Sequence, residues 1–484
     1  MSSGGGLLDL VARGKKDTFF TSNPKISFFH SVYPKQPAFT QEIRFTQPRN
    51  NPIWGKWVDF EIESVGDIVK NFVLLIDLPS WLPVAQANFN PTSITTDLSG
   101  VEYGYTQDIG AAMIDKVQVF NDQLLLHEFW GQWLEWRVSQ QPNSTIYGIL
   151  AGRHLPGSGQ IAKAATPRRI RITLPIMGNQ FPDDMGFPMV ALSNQRFRIR
   201  VYLKKLEEVI ETSDGRLNPN PWSQTFQQQT TRTTLSQKFQ TLAKNQMGPL
   251  IMTLETTQIY ISRDSQEFLR KTVINLPFQQ TQKCQFTIED PKWAPVVTTN
   301  VTVSLPLPLD FIGAASRITV GVQTEASQQA GQWYQMSPPF AYSYNNNSLI
   351  PKTAETATAT GFVAQTFLSN LRLNMGTLDR ITAWSDKILR DVANYYKNYK
   401  ESRDPYGGVQ NIYTLTFGPK EKDPYKPIGT FNLSRTLQAV LYVDLNAIAA
   451  DPRSKSRKSY IIVFGESWNI FEIMDGKGKV MFAD

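Results

Sequence analysis

The stretch that decides the fold is Thr257–Phe278, TQIYISRDSQEFLRKTVINLPF. It opens as a strand, with Thr257, Ile259 and Ile261 on one face and Gln258, Tyr260 and Ser262 on the other, the period-two alternation of extended chain. From Arg263 to Lys271 it becomes a charged segment that reads as a joint. On either side the chain does the same thing for roughly two hundred residues: short alternating strands parted by Pro, Gly and Asn turns. The reading is two similar all-β domains joined by one short connector.

Length and composition agree. A chain of 484 residues exceeds what one core holds, because single cores stop growing near roughly 250 to 300 residues. With 41% hydrophobic, 12% aromatic and only 19% charged residues, the chain can bury cores and is not a disordered one. Thirty Pro and thirty Gly, spread along the length, punctuate it into the short elements of a sandwich or barrel. The net charge of +7, from 49 basic and 42 acidic residues, is a mild excess that gives nucleic-acid binding little support. The single Cys284 cannot form an intramolecular disulfide, which suits a reducing compartment. No stretch approaches a membrane span and Met1–Lys16 lacks the apolar run of a secretory signal, so a soluble chain is expected.

In chain order, residues 1–24 read as an arm with a small apolar group, Leu7 to Val11. Period-two sets follow: Ile26 and Phe28; Phe39, Ile43 and Phe45; Val58, Phe60 and Ile62; Phe72, Leu74, Ile76 and Leu78. Ile170, Ile172, Leu174 and Ile176 alternate with Arg169 and Arg171, and Phe197, Ile199, Val201 and Leu203 alternate with Arg196, Arg198 and Arg200. Residues 207–250 read as a long surface excursion. The second half restarts at Cys284, Phe286 and Ile288, continues through Leu305, Leu307 and Leu309, then Ile318, Val320 and Val322. Pro306 and Pro308 place the latter part of that first run at an edge or strand exit. Residues 323–408 read as irregular, with a helix around Ser385–Tyr396, before strands resume at Tyr413 and run to Phe482. The fold class is all-β: two consecutive eight-stranded jelly-roll sandwiches with long loops and a few short helices. The divisions are an arm at 1–24, a first jelly roll at 25–264, a connector at 265–275 and a second jelly roll at 276–484.

Catalytic residue types are scarce. Only His30, His127 and His154 occur, none spaced as a metal pair, and one Cys makes no zinc site, so no metal or cofactor is expected. Asp183 and Asp184 could be offered as an acid and base for glycoside hydrolysis, but beside Pro182 and Gly186 they read better as turn residues. Gly157 and Gly159 with Lys163, and Gly476 with Gly478, fall short of phosphate and dinucleotide loops and read as turns. The two arginine rows could grip phosphates, although a wet sheet face carries charges by default. Arg453, Lys455, Arg457 and Lys458 read as a solvated loop. Asn143, Asn300, Asn346 and Asn432 are sequons, open to glycosylation only where a glycosylating enzyme is met. Trp130, Trp133 and Trp136 would make a stacking platform in a carbohydrate-binding β-sandwich surface protein; the favoured reading is a helix plugging a sandwich with its aromatic side. No residue is assigned a catalytic role, and structure or binding is the expected function.

Gly5 to Val11, Ser22 to Tyr33, Asp115 to Phe120 with Trp133, Leu174 to Ile176 with Gly186 to Leu192, Asp264 to Phe268, Gly429 to Arg435 and Asn469 to Gly478 form an ordered set of motifs along the chain. That set resembles the major capsid proteins of the nucleocytoplasmic large DNA viruses. Gly5 to Val11 and Ser22 to Tyr33 look like that family's opening arm and strand, and Asp115 to Phe120 with Trp133 like its strand and aromatic turn. Leu174-Pro175-Ile176 with Gly186, Pro188, Ala191 and Leu192 is similar to its Pro-rich strand and turn, and Asp264, Glu267 and Phe268 loosely match its connector. Gly429 to Arg435 resembles its Gly-x-x-Asn-Phe-Ser-Arg turn, and Asn469 to Gly478 its ending. The arginine-rich connector of the family is missing.

The resemblance implies a double jelly roll that is not an enzyme. It implies a structural major capsid protein, self-assembled into pseudo-hexagonal homotrimeric capsomers that tile an icosahedral shell. Its place would be the virion, with assembly in the host cytoplasm. Implied partners are neighbouring capsomers and minor capsid and penton proteins, with no specific nucleic acid. The arm at 1–24 would touch minor capsid proteins or an internal membrane, and the excursions 207–250 and 323–408 would form much of an outer crown and of the intersubunit contacts.

Overall fold

The fold is described from a computed structural model of the chain. It describes residues 14–15, 38–62, 65–79, 103–140, 150–152, 168–176, 186–192, 195–212, 249–289, 302–329, 331–334, 336, 368–376, 378–386, 388–389, 411–418, 429–435, 438–446 and 458–482. Met1–Phe39 forms one compact unit and Thr40–Asp484 another; both sandwiches are built within the second.

The first half contributes β1 (Phe39–Thr46), β2 (Trp57–Ile62), β3 (Ile68–Leu78), β4 (Tyr103–Tyr105), β5 (Ile114–Asn121) and β6 (Leu124–Trp130). It continues with β7 (Arg168–Thr173), β8 (Phe197–Leu203), β9 (Ile210–Thr212) and β10 (Ile251–Ile261). Among the described residues two α-helices interrupt them, α1 (Ile109–Ala112) and α2 (Gly131–Ser139). The charged segment is a helix, α3 (Arg263–Lys271). Beyond it come β11 (Ile274–Ile288), β12 (Thr302–Leu309), β13 (Ala314–Thr324), the short α4 (Glu325–Gln329), β14 (Leu368–Met375) and β15 (Leu378–Ser385). The chain then forms β16 (Ile412–Thr416), β17 (Phe431–Asn432), β18 (Ala439–Asn446), β19 (Ser459–Met474) and β20 (Lys477–Val480).

Pairing repeats one topology twice. In the first half the sheets are ordered β1-β10-β3-β7 and β2-β8-β5-β6, with β4 and β9 paired apart. In the second they are β11-β19-β13-β16 and β12-β18-β14-β15, with β17 and β20 added at the margins. Counting only the eight sandwich strands of each half, both take the first, eighth, third and sixth into one sheet and the second, seventh, fourth and fifth into the other. That order is the jelly roll, and the fold is a double jelly roll.

Alternation builds both cores. Phe197, Ile199, Val201 and Leu203 of β8 point inward against Val58, Phe60 and Ile62 of β2, while Phe72, Leu74 and Ile76 of β3 meet them from the facing sheet. In the second roll Ile318, Val320 and Val322 of β13 oppose Leu371 and Leu373 of β14 and Leu441, Val443 and Leu445 of β18. Pro306 and Pro308 lie on β12, an edge strand as their missing N–H groups require. Two expectations are corrected. The interval 323–408 is not irregular throughout, because β14 and β15 lie within it; Ser385 ends β15, and the expected helix starts one residue later, with Asp386, Ile388 and Leu389 helical and residues 390–410 outside the described residues. The period-two set Ile43 and Phe45 exists, but its face is open, with 58% and 59% of each residue exposed.

The rolls stand side by side and the same way up. At one end of the first roll, the start of β8 pairs with the ends of β2 and β5. At the corresponding end of the second, the start of β18 pairs with the ends of β12 and β14. These two ends meet: Gly478 N donates to Gln195 Oε1 at 2.6 Å, and Asn121 Nδ2 donates to the same oxygen at 2.6 Å. The β2–β3, β5–β6, β12–β13 and β14–β15 turns, the longer β7–β8 and β16–β18 connections and α3 occupy this end, and the connections running from β3 to β5, β6 to β7, β13 to β14 and β15 to β16 leave from the other.

Candidate functional site

The feature that sets this chain apart from two beads on a string is the joint between the rolls. Two of its strands span both cores. β11 and β19 pair in register from Ile274↔Ile473 to Ile288↔Ser459. Phe278, Phe471 and Ile473, at one end of this ribbon, belong to the first roll's core, whereas Ile288, Ile461 and Val463 at the other belong to the second's.

Helix α2 closes the rest of the joint. Trp133, Trp136, Arg137 and Gln140 recur at helical spacing along it, and this face lies on the second roll's β11-β19-β13-β16 sheet. Trp133 and Trp136 are each 2% exposed. The Trp136 ring meets Phe464 of β19 edge-on at 5.1 Å between centroids. Gln132 Nε2 donates to Gln323 Oε1 at 3.2 Å, and Gln140 Nε2 to Thr414 Oγ1 at 2.9 Å, so hydrogen bonds also cross the joint.

At its centre sits Glu466. A β-bulge between Ala315 and Arg317 sets Arg317 directly across from Glu466, and Arg317 Nη2 donates to Glu466 Oε2. Trp133 Nε1 donates to Glu466 Oε1 at 2.9 Å, and Arg137 Nη1 lies 3.9 Å from Oε2 with its guanidinium stacked over the Trp133 ring. All three charged side chains are under 10% exposed. Burial pushes the Glu466 carboxyl up, but the Arg317 and Arg137 charges and the hydrogen bonds from Arg317 and Trp133 outweigh it and hold it below the usual value.

A second pin crosses near the long connections. Trp333 Nε1 donates to the Glu208 carbonyl at 2.8 Å, and Lys204 Nζ lies 4.1 Å from the Trp333 ring centroid. Lys204 also donates to Ala112 O at 2.8 Å, at the end of α1, and burial drives its pKa down to about 8. His127 is buried beside Phe129 and Phe278, and desolvation, aided by Arg137, pushes its pKa down to about 3.

The aromatic helix therefore acts as a plug, with one correction: it covers the neighbouring roll's sheet as well as its own roll. Trp133 and Trp136 form no platform for sugars. Most of the arginines in the two rows are answered by carboxylates of the same sheet, on the adjacent strand for Arg200 and Arg169 and two strands away for Arg171. Arg200 makes a two-pronged contact with Asp59 at 2.7 and 2.9 Å, Arg169 does the same with Asp77 at 2.7 and 2.9 Å, and Arg171 pairs with Glu255. Such neutralised rows offer no phosphate grip. Asp475 and Gly476, both at positive φ, form the turn between β19 and β20, as their sequence predicts. Burial pushes the Cys284 thiol up, away from the thiolate a nucleophile needs. Among the described residues no group of three or more His, Cys, Asp or Glu is placed to hold a metal. His30, His154, Asp183, Asp184, Gly157, Gly159, Lys163, Arg453, Lys455, Arg457, Asn143, Asn300 and Asn346 lie outside the described residues, as does the arm 1–24 apart from residues 14–15. Asn432 is exposed on β17.

The duplicated sheet order has clear counterparts. No family model matches the chain. It is 20% identical over 496 residues to the major capsid protein of Pyramimonas orientalis virus, covering 99% of this chain and 100% of that protein. A superposition on the crystal structure of PBCV-1 VP54, fitted into a reconstruction of the virophage Sputnik, has a TM-score of 0.66 at 15% identity and covers 95% of this chain and 100% of that one. The chain is a homologue of the large DNA virus major capsid proteins. Probable capsid protein 4 of Acanthamoeba polyphaga mimivirus is 24% identical over 211 residues, 42% of this chain. The alignments to that protein and to mimivirus capsid protein 1 span only 38% and 21% of their lengths. The major capsid proteins among these relatives are named for a structural role and not for an enzymatic one, in keeping with a joint whose ionisable groups are spent on holding two rolls together.

Proposed function

We propose that the chain is a structural subunit of a viral shell, a major capsid protein that self-associates as a homotrimeric, pseudo-hexagonal capsomer and tiles an icosahedral capsid. The observation that carries this reading is the repetition of one eight-strand topology in two rolls held side by side and the same way up. Three such chains around an axis present six similar sandwiches, and closed symmetry makes each contact recur. The longest connections leave from one end of both rolls, which suits an outer crown. The opposite end exposes Leu124, Leu125, Phe268, Ile312, Leu378 and Phe482, more apolar side chains than an end bathed in solvent calls for. This is the face assigned to minor capsid and penton proteins, with neighbouring capsomers at the sides. The virion is the place of action and the host cytoplasm the site of assembly.

Solution mass by light scattering coupled to size exclusion tests the reading. A stable species near three times the 54.8 kDa chain mass is expected, and a clean monomer at micromolar concentration would count against it.

A further inference from the structure

We infer that Glu466, with Arg137 and Arg317, is an orientation lock that sets the angle between the two rolls, the quantity on which a pseudo-hexagonal tile depends. The inference rests on the capsomer reading for its purpose but not for its test.

Three observations carry it. The cluster lies between the rolls: Glu466 is on β19 and Arg317 on β13 of the second, while Trp133 and Arg137 come from α2 of the first. Its partners are directional. Trp133 reaches one carboxylate oxygen and the two guanidiniums the other, so a rotation or slide of α2 along the sheet breaks at least one bond. The apolar contacts around it, such as Trp130 on Phe464, carry no comparable directional bond. Buried ion pairs contribute little net stability against well-packed apolar replacements, but one left incomplete is costly. A carboxylate held from one neighbouring strand and a helix therefore penalises every inter-roll angle except one. The β-bulge that brings Arg317 opposite Glu466 gives up ladder regularity at this point alone along the β13–β19 pair. Glu466 and Arg317 act as positioning residues.

The test reads the angle itself. Spin labels at Gln47 in the first roll and Thr382 in the second, both exposed, are placed in full-length protein with Cys284 changed to Ala, and the distance distribution is measured by pulsed electron resonance. Glu466→Gln, which keeps a hydrogen-bond acceptor for Trp133 but removes the charge, is expected to widen the distribution at least twofold while circular dichroism retains the native strand content. Arg317→Lys, which keeps the charge, is expected to stay close to the parent width. An unchanged width in Glu466→Gln, or equal widening in both variants, would overturn the lock. If Glu466→Gln yields no soluble protein, Arg137→Leu leaves the Arg317 contact in place and must show an intermediate widening; a parent-like width there would also overturn it. A wild-type protein that is monomeric by light scattering would refute the capsomer reading and leave these widths to judge the lock by themselves.

Discussion

The Trp136 indole occupies the space where a side chain on Gly321 would begin. A Cβ added at Gly321 would stand 2.6 Å from Trp136 Cζ2 and closer still to Cη2, well inside van der Waals contact. The ring is held from behind by Phe464, so it has little room to retreat. Gly321→Ala is expected to cost about 1–3 kcal/mol through overpacking, read as a lower denaturant midpoint with unchanged slope. In a double-mutant cycle with Trp136→Phe the two costs should fall well short of adding. Simple additivity would mean that the ring moves aside freely.

The rolls should differ in their ability to fold alone. The first roll's core includes Phe278, Ile412, Ile462, Phe464, Phe471 and Ile473 from the second half, whereas among the described residues the second roll's core draws only on residues from Cys284 onward. A fragment ending at Thr272 therefore lacks walls of its own core, while one starting at Val273 keeps its core and exposes a face. Cooperative thermal unfolding is expected for the C-terminal fragment and not for the N-terminal one. A sharp calorimetric transition in the N-terminal fragment would show the joint to be a mere surface contact.

Legibility followed the physics of alternation. β8 could be read from Phe197, Ile199, Val201 and Leu203 because each position sees either core or solvent and nothing else. β14 could not, since irregular pairing between Leu368 and Asn370 and between Leu371 and Leu373 breaks the period. Ile43 and Phe45 show the limit of periodicity: period two tells which residues share a face but not whether anything covers it. The centre of the joint was hidden for another reason. Glu466 and Arg317 lie 149 positions apart, and the only local hint is a lone carboxylate after the apolar run Tyr460–Phe464, which reads as a residue at a strand exit. The three Trp of the α2 region were legible as a plug, but their target on the other roll was not.

The two double-pronged arginine pairs should differ in worth. Asp59 is 6% exposed and its partner Arg200 also stacks 4.4 Å from the centroid of Trp57, whereas the Arg169–Asp77 side chains are 66% and 35% exposed. Asp59→Ala is expected to cost about 2 kcal/mol, as for a charged hydrogen-bonded pair out of water, and Asp77→Ala under about 1 kcal/mol. Half-molar salt should erase the second difference and leave most of the first. Equal losses in chemical denaturation would contradict the ranking.

His127 makes the joint sensitive to acid, and the direction follows from its burial. Its folded pKa of about 3 lies below the usual value of 6.5, mainly through desolvation and next through Arg137, with Glu466 opposing. Between those values the unfolded chain binds a proton that the folded chain refuses, so stability falls as pH drops from 6.5 towards 3. The slope from this group is at most about 1.4 kcal/mol per pH unit. Glu466, also held below its usual value, adds to the loss in the same direction in the lower part of that range. His127→Phe keeps a ring beside Phe129 and Phe278 and removes the titration. Relative to the parent, this variant should gain on the order of 3 kcal/mol between pH 7 and pH 4, measured by urea unfolding at each pH. Parallel curves for the two proteins across that interval would mean that His127 takes up its proton in the folded joint as readily as in the unfolded chain.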